Sequence, residues 1–258
     1  MHASAAQHQR LEPGALTHAP VAALFIYDCE RDGPGVLIPR PEIHLVARFG
    51  PWARGGLDVH AFGVRDRVHR KLIRAGQRTV TARLQLGAPD AVLGVPASAM
   101  AGRIVALEDL WGDAATRRLC AQLADAGDSV EAAAILERAL AERPASAQRL
   151  HPHAQLALAA ADKLVSANVN TVAVDLGVSE RHLRRVFRET VGMSPKAFAK
   201  LTRFQRALRA ASDGASWASI AAATGYYDQA HLIAEFRQIS GVTPRALVGE
   251  LRAARLVS

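Results

Sequence analysis

The stretch His182–Pro195, HLRRVFRETVGMSP, returns as His231–Pro244, HLIAEFRQISGVTP. Seven positions correspond at a constant offset of 49: His182/His231, Leu183/Leu232, Phe187/Phe236, Arg188/Arg237, Gly192/Gly241, Ser194/Thr243 and Pro195/Pro244. Repetition at a fixed offset names the structural unit before any single residue is interpreted. Two copies of a short unit mark a duplicated motif and not a solenoid. Upstream lie VAVDLGVSE (Val172–Glu180) and IAAATGYYDQ (Ile220–Gln229). In each, a short helix ends near a glycine, Gly177 or Gly225, suited to a left-handed cap. Ser179 or Asp228 is then placed to accept hydrogen bonds from the free N–H groups of the next helix. Two helices about a tight glycine-containing turn make a helix-turn-helix. The spacing predicts it twice.

Helical spacing extends around the repeat, over 154–166, 171–176, 180–190, 195–211, 217–223, 229–239 and 244–254. Pro195 and Pro244 fall in first turns, where a missing N–H costs nothing. The long fourth segment joins the two units and sets their separation.

The outward faces of the copies differ. On 180–190, Leu183, Val186, Phe187 and Thr190 form one face, and Arg181, Arg184, Arg185 and Arg188 form the other at i, i+3, i+4 and i+7. Arginine reads guanine bidentately in the major groove, with about 1–3 kcal/mol of discrimination per good pair. The plain alternative is a solvated arginine face paired with Glu180 and Glu189. In the second copy, Glu180, Arg181, Arg184 and Arg185 become Gln229, Ala230, Ile233 and Ala234. Gln229 suits adenine, and Ala230 or Ile233 suits a thymine methyl. The first unit is therefore expected to carry most discrimination, and the second position and affinity. Lys196, Lys200, Arg203 and Arg206 are candidate phosphate contacts, with ordinary solvated charge as the other reading. His182 and His231 read as packing or phosphate-touching histidines, and Trp217 as core.

The order glycine, cap residue, H-L-x-x-x-F-R, G-x-[ST]-P, twice over roughly residues 154–254, resembles the DNA-binding domain of AraC-family transcription regulators. Carried over position by position, the resemblance implies Arg181, Arg184 and Arg185 at base edges, with Arg188 structural or phosphate-facing. It implies double-stranded DNA as partner, with RNA polymerase, a small-molecule effector and a second copy of the chain as further candidates.

Charge agrees. The net charge is +8; residues 151–258 hold 14 Lys/Arg against 8 Asp/Glu, and residues 1–150 hold 18 against 16. The excess lies where a polyanion would be met.

The N-terminal half has another character. Residues 1–20 read as a loose polar arm. From Val21, VAALFIYD, GVLIP, EIHLVARFG, LDVHAFGV and VTARLQLG are short apolar runs punctuated by Gly and Pro, as in a β-sandwich or small barrel. Helical spacing follows at 114–126 and 129–142, and Pro144 stops it. LGVPA (Leu93–Ala97) and VALEDLWG (Val105–Gly112), between the β-rich part and two helices, resemble the N-terminal domain fused to AraC-type DNA-binding domains in a set of bacterial regulators. In the wider family such domains are sensory or dimerising and often cupin-like. The expected architecture is thus α+β. A sensor or dimerisation domain spans 21–143, a linker 144–153, and an all-α seven-helix DNA-binding domain 154–258. The helical pair 114–142 is the expected dimer surface, intramolecular packing being the alternative.

Other classes have little support. Cys29 and Cys120 are too few for a disulfide framework or a four-cysteine zinc site. His44, His60 and His69 lack metal-ligand spacing, so no metal or other cofactor is expected. No nucleophile–base spacing or glycine-rich phosphate loop suggests an enzyme. No apolar run reaches the roughly 18 residues of a membrane span, and no secretory leader is evident, so the expected location is the cytoplasm. Phe25, His44, Phe49, Trp52, His60 and Phe62 are candidate liners of an effector cavity. The alternatives are a metal-binding or enzymatic first domain tethered to DNA, and a non-specific nucleoid-type binder.

Overall fold

The computed structural model describes residues 7–11, 20–143, 152–212 and 214–254. The N-terminal part is built on antiparallel strands. β2 (Val21–Asp28), β7 (Arg78–Leu84), β4 (His44–Phe49) and β5 (Leu57–Phe62) form the body of a six-stranded sheet. β1 (Gln7–Leu11) flanks it beside β2, and β8 (Ile104–Ala106) beside β5. β3 (Gly33–Leu37) pairs with β6 (His69–Ile73) in a separate two-stranded sheet.

Alternation in the sequence decides which side of the large sheet does what. Along β4, Leu45, Ala47 and Phe49 are buried while His44, Val46 and Arg48 are half-buried. Successive residues of a strand point to opposite faces. Ala47 pairs with Val59 and Val80, so small apolar side chains from three strands share one face. α5 (Ser129–Ala141) lies against β2 and β7 and buries Ala132, Ala133, Leu136 and Leu140. α4 (Asp113–Ala124) packs beside it and buries Leu119 and Leu123. One face of the helical pair expected as a dimer surface is therefore occupied within the chain. The opposite sheet face carries His44, Val46, Arg48, Thr79, Thr81, Phe25 and Tyr27, and it opens on a cavity.

Between the sheet and the helical pair come α1 (Pro89–Leu93), α2 (Ala97–Met100) and α3 (Leu107–Trp111). The remainder is helical: α6 (Pro152–Leu164), α7 (Val169–Asp175), α8 (Glu180–Val191), α9 (Pro195–Ser212), α10 (Trp217–Thr224), α11 (Gln229–Ser240) and α12 (Pro244–Ala253). These are the seven expected helices, displaced by no more than two residues at any end. The repeated phenylalanines lie at the centre. Phe187 meets Phe198 edge-on at 5.2 Å, and Phe204 meets Phe236 at 4.6 Å. Trp217, expected in the core, is half-buried and stacks edge-on against Phe236 at 6.0 Å from the core's margin. Fully burying each such ring contributes roughly 1.5–3 kcal/mol.

Two expectations at the edges of the parts need correction. The arm 1–20 is not loose throughout, because Gln7–Leu11 forms β1, paired from Gln7↔Asp28 to Leu11↔Leu24. An edge strand is held by backbone hydrogen bonds, which a polar sequence supplies as well as an apolar one. The remainder of the arm lies outside the described residues. Of the expected linker 144–153, residues 144–151 lie outside them too, while Pro152 and His153 already belong to α6.

The two parts share one apolar core. Val68 N–H donates to the Ile239 carbonyl at 2.9 Å, Gln205 Nε2 to the Pro39 carbonyl at 2.7 Å, and Arg70 Nε to Glu250 at 2.8 Å.

Candidate nucleic-acid interface

The duplicated sequence produces duplicated geometry. α8 begins at Ser179, whose hydroxyl accepts from His182 N–H at 3.2 Å, and ends at Gly192 with φ +85°. α11 begins at Asp228, whose carboxylate accepts from His231 N–H at 2.7 Å, and ends at Gly241 with φ +78°. Leu183 and Leu232, and Phe187 and Phe236, are fully buried in their own units. Apart from the exposed Arg188 and Arg237, the repeated positions thus belong to caps, turns and cores, the parts of a helix-turn-helix that cannot vary if both copies are to fold alike.

Three positions of α8 that do not repeat, Arg181, Arg184 and Arg185, are exposed on the outside, with the repeated Arg188. Arg184 is paired with Glu180 and Arg185 with Glu189, both at i,i+4 spacing, with the arginine side chains 61% and 54% exposed. Exposed pairs of this kind contribute about 0.3–0.5 kcal/mol. Pairs this weak do not lock the arginines in one place. Arg185 Nη2 also approaches His182 Nδ1 at 3.5 Å, and the His182 ring stands edge-on to His153 at 6.0 Å. That supports the packing reading of this histidine. On α11, Gln229, Ala230 and Ala234 are exposed and Ile233 is half-buried. Tyr227 beside them is 93% exposed.

The phosphate candidates separate clearly. Lys196 is exposed at the start of α9, with no polar partner among the described residues. Lys200 Nζ donates to Gln238 Oε1 at 2.6 Å, tying α9 to α11. Arg206 Nη1 donates to the Val165 carbonyl at 3.4 Å. Arg203 departs from the expected role. Its guanidinium makes two hydrogen bonds to Glu235, at 2.6 and 3.2 Å, and lies 4.8 Å over the Tyr226 ring. Glu235 is 6% exposed. Arg203 is therefore an internal tie of the second unit and not an outward-facing contact. Its partner lies 32 residues away, beyond anything helical spacing could reveal. The Tyr226 hydroxyl is pushed well above its ordinary pKa, first by burial and then by the Glu235 charge.

The second feature with functional chemistry is the cavity beside the large sheet, about 680 Å³ in volume. Phe25, His44, Phe49, Trp52 and Phe62, five of the six expected liners, line it. His60 does not; its Nδ1 lies 3.2 Å from Asp58, the residue that also receives Arg48. His44 is held to a pKa of about 3, first by burial and then by Arg40, Arg83 and Arg65. It is neutral near pH 7, and the surrounding charge is positive. Among the described residues, no group of three or more His, Cys, Asp or Glu could hold a metal ion. Burial pushes the Cys120 thiol up, with Asp58 and Glu108 adding to the effect. That is opposite to what a reactive thiolate needs. Among the described residues no helix is long and apolar enough to cross a membrane.

Residues 172–249 match a protein family described as a helix-turn-helix domain. Among solved structures, the DNA-binding domain of AdpA, a global transcriptional factor in complex with a target DNA, is 27% identical. That match covers 42% of this chain and 98% of the other, with a TM-score of 0.36. A DNA-binding transcriptional dual regulator from Escherichia coli K-12 is 24% identical over 42% of this chain and 98% of its own, with a TM-score of 0.34. ToxT from Vibrio cholerae is 7% identical, over 94% of this chain and 98% of its own, with a TM-score of 0.45. No curated protein matches the chain.

Proposed function

We propose that this chain, whose residues 172–249 are an AraC-type helix-turn-helix domain, is a sequence-specific DNA-binding transcription regulator. The observation that carries the reading is the division of labour on α8. Its repeated Leu183 and Phe187 are buried, while its unrepeated Arg181, Arg184 and Arg185 are exposed on a helix with a capped N-terminus. The free N–H groups and partial positive charge of such a terminus favour a phosphate nearby.

Arg181, Arg184 and Arg185 would reach base edges, and Arg188 and Lys196 phosphates. Gln229, Ala230, Ile233 and Ala234 would meet the next major-groove segment with less discrimination. Two recognition helices that read one face of B-DNA should engage segments about 34 Å apart, one turn of the duplex. The sheet domain, taken as spanning 21–143, would sense an effector in its cavity and act on the DNA-binding part, taken as 154–258. Dimerisation, contact with RNA polymerase and a cytoplasmic location accompany this reading as proposals.

The test is selection of bound duplexes from a random pool by the full chain. The reading expects a gapped site with two contact blocks about one turn apart. A general nucleoid-type binder would give no enrichment and a similar affinity for every duplex, falling steeply with salt.

A further inference from the structure

We propose that the cavity takes an anionic small molecule with an apolar body, and that the strap Gly63–Lys71 carries its binding to both helix-turn-helix units. The second half rests on the reading of the chain as a DNA-binding regulator; the first does not.

The ligand class follows from the wall. Seven Lys/Arg side chains and one acid, Glu42, line the cavity. Some of the cations already have carboxylates: Arg48 with Asp58 at 2.7 Å, Arg74 with Asp32 at 2.9 Å and Arg70 with Glu250 at 2.8 Å. Arg65, Arg67 and Lys71 have no acidic partner among the described residues, and they stand on one short segment. Burial holds the Arg65 and Lys71 pKa values below their ordinary range, and the Arg48 and Arg65 charges add to the effect at Lys71. A concave wall of one charge sign concentrates the opposite ion, and carboxylate, sulfonate or phosphate oxygens would supply charge-assisted hydrogen bonds. Phe25, Phe49 and Phe62 offer the rest of the wall to an apolar body.

The strap is also the place where the two parts of the chain meet. It starts at Gly63, where a Cβ would lie 1.6 Å from the Met100 carbonyl oxygen, so only glycine passes. Arg65 and Arg67 then line the cavity, while Val64 and Val68 alternate with them and are buried against the helical part. A Cβ on Gly192, which ends α8, would lie 2.9 Å from Val64 Cγ2. Val68 N–H donates to Ile239 in the last turn of α11, and Arg70 is bonded to Glu250 of α12. One segment of nine residues therefore forms a cavity wall, touches the C-terminal ends of both recognition helices and is latched to α12. An anion bound by Arg65 and Lys71 competes with Glu250 for Arg70. A ligand that binds one state of this latch better than the other must shift the DNA equilibrium, and by linkage DNA must shift the ligand's.

The experiment uses the full chain and two fluorescent probes. 8-Anilino-1-naphthalenesulfonate and N-phenyl-1-naphthylamine share their rings and differ by the sulfonate. The anionic probe is expected to bind about tenfold or more tightly than the neutral one. In an R65Q/K71Q variant that preference should vanish while the neutral probe still binds, which shows the cavity intact. Equal affinity for both probes, or a preference that survives R65Q/K71Q, overturns the ligand class. Competition by 1-naphthoate and by 1-naphthyl phosphate identifies carboxylate or phosphate as the favoured anion, and displacement by neither overturns the class as well. On a duplex selected by the wild-type chain, saturating anionic probe should change the DNA dissociation constant by about fivefold or more. E250Q should change it in the same direction without the probe. An unchanged constant, or an opposite effect of E250Q, overturns the role of the strap. If the chain without probe binds no DNA, the regulator reading fails with it, while the probe result stands alone.

Discussion

Arg203 and Glu235 form a bidentate ion pair inside the second helix-turn-helix unit, with hydrogen bonds of 2.6 and 3.2 Å and the glutamate 6% exposed. The first unit has no counterpart, because Val186 stands where Glu235 does at the offset of 49. The tie joins α9, the helix between the units, to α11, and Tyr226 is packed beneath it. Breaking a buried pair by removing one partner leaves a charge without compensation. Glu235→Ala is expected to cost roughly 3 kcal/mol, near the low end for such pairs because Arg203 keeps some contact with water. The double replacement Arg203→Met/Glu235→Leu should recover most of it. Thermal unfolding of the three proteins checks both halves.

Tyr226 gives the same cluster a pH signature. Its folded pKa is raised, so the neutral phenol is the form the fold favours. A raised folded pKa contributes stability that is present below the unfolded value, about 10, and is lost as pH rises through and beyond it. The melting temperature should therefore fall more steeply above pH 10 than in Tyr226→Phe. Parallel profiles for the two proteins would count against this account of the cluster.

His44 works at the other end of the scale. Its pKa of about 3 lies below the unfolded value, so between about pH 6.5 and 3 the unfolded chain takes up a proton that the folded chain refuses. Stability should decline as pH falls through that window, and His44→Phe should flatten the decline. In an NMR titration the His44 ring signals should stay at their neutral positions at pH 5.

The two glycines that end the recognition helices separate local strain from contact between the parts. Both have positive φ, so alanine at either costs roughly 1–2 kcal/mol of backbone strain. At Gly241 nothing lies within 4 Å of an added Cβ. At Gly192 the Cβ would meet the Ala97 carbonyl oxygen at 2.8 Å and Val64 Cγ2 at 2.9 Å. Gly192→Ala should therefore lose about 1–3 kcal/mol more than Gly241→Ala, the usual penalty of overpacking. Equal losses in denaturant unfolding would show that the sheet domain does not bear on α8.

How far these features were legible depended on how local their causes are. The seven helices could be read to within two residues because caps, prolines and glycines act over one turn: Ser179, Asp228, Pro195 and Pro244 are all next to what they specify. Five cavity liners could be read because aromatic and histidine side chains stood out in short strand-like runs. His60 stands opposite Val46 on the face that carries the cavity, but it is drawn to Asp58 instead of lining the cavity, a contact that strand alternation alone does not display. β6, with the sequence HRKLI, carries little strand signal, since three of its five residues are charged or polar. Val64 and Val68 looked like any other valines; their importance comes from Gly192 and Ile239, more than 120 residues away. The pairing of Arg203 is hidden for the same reason, because Glu235 lies 32 residues away in another helix.

The asymmetry between the two units bears most directly on function. Selection from a random duplex pool should be run in parallel on the wild-type chain and on the variant carrying Arg181→Ala, Arg184→Ala and Arg185→Ala. The wild type should return two contact blocks about one helical turn apart. The variant should lose the more strongly specified block and keep the weaker one, each lost base pair contact being worth about 1–3 kcal/mol. No enrichment by the wild type, or a variant that keeps the stronger block unchanged, would contradict the assignment of sequence reading to α8.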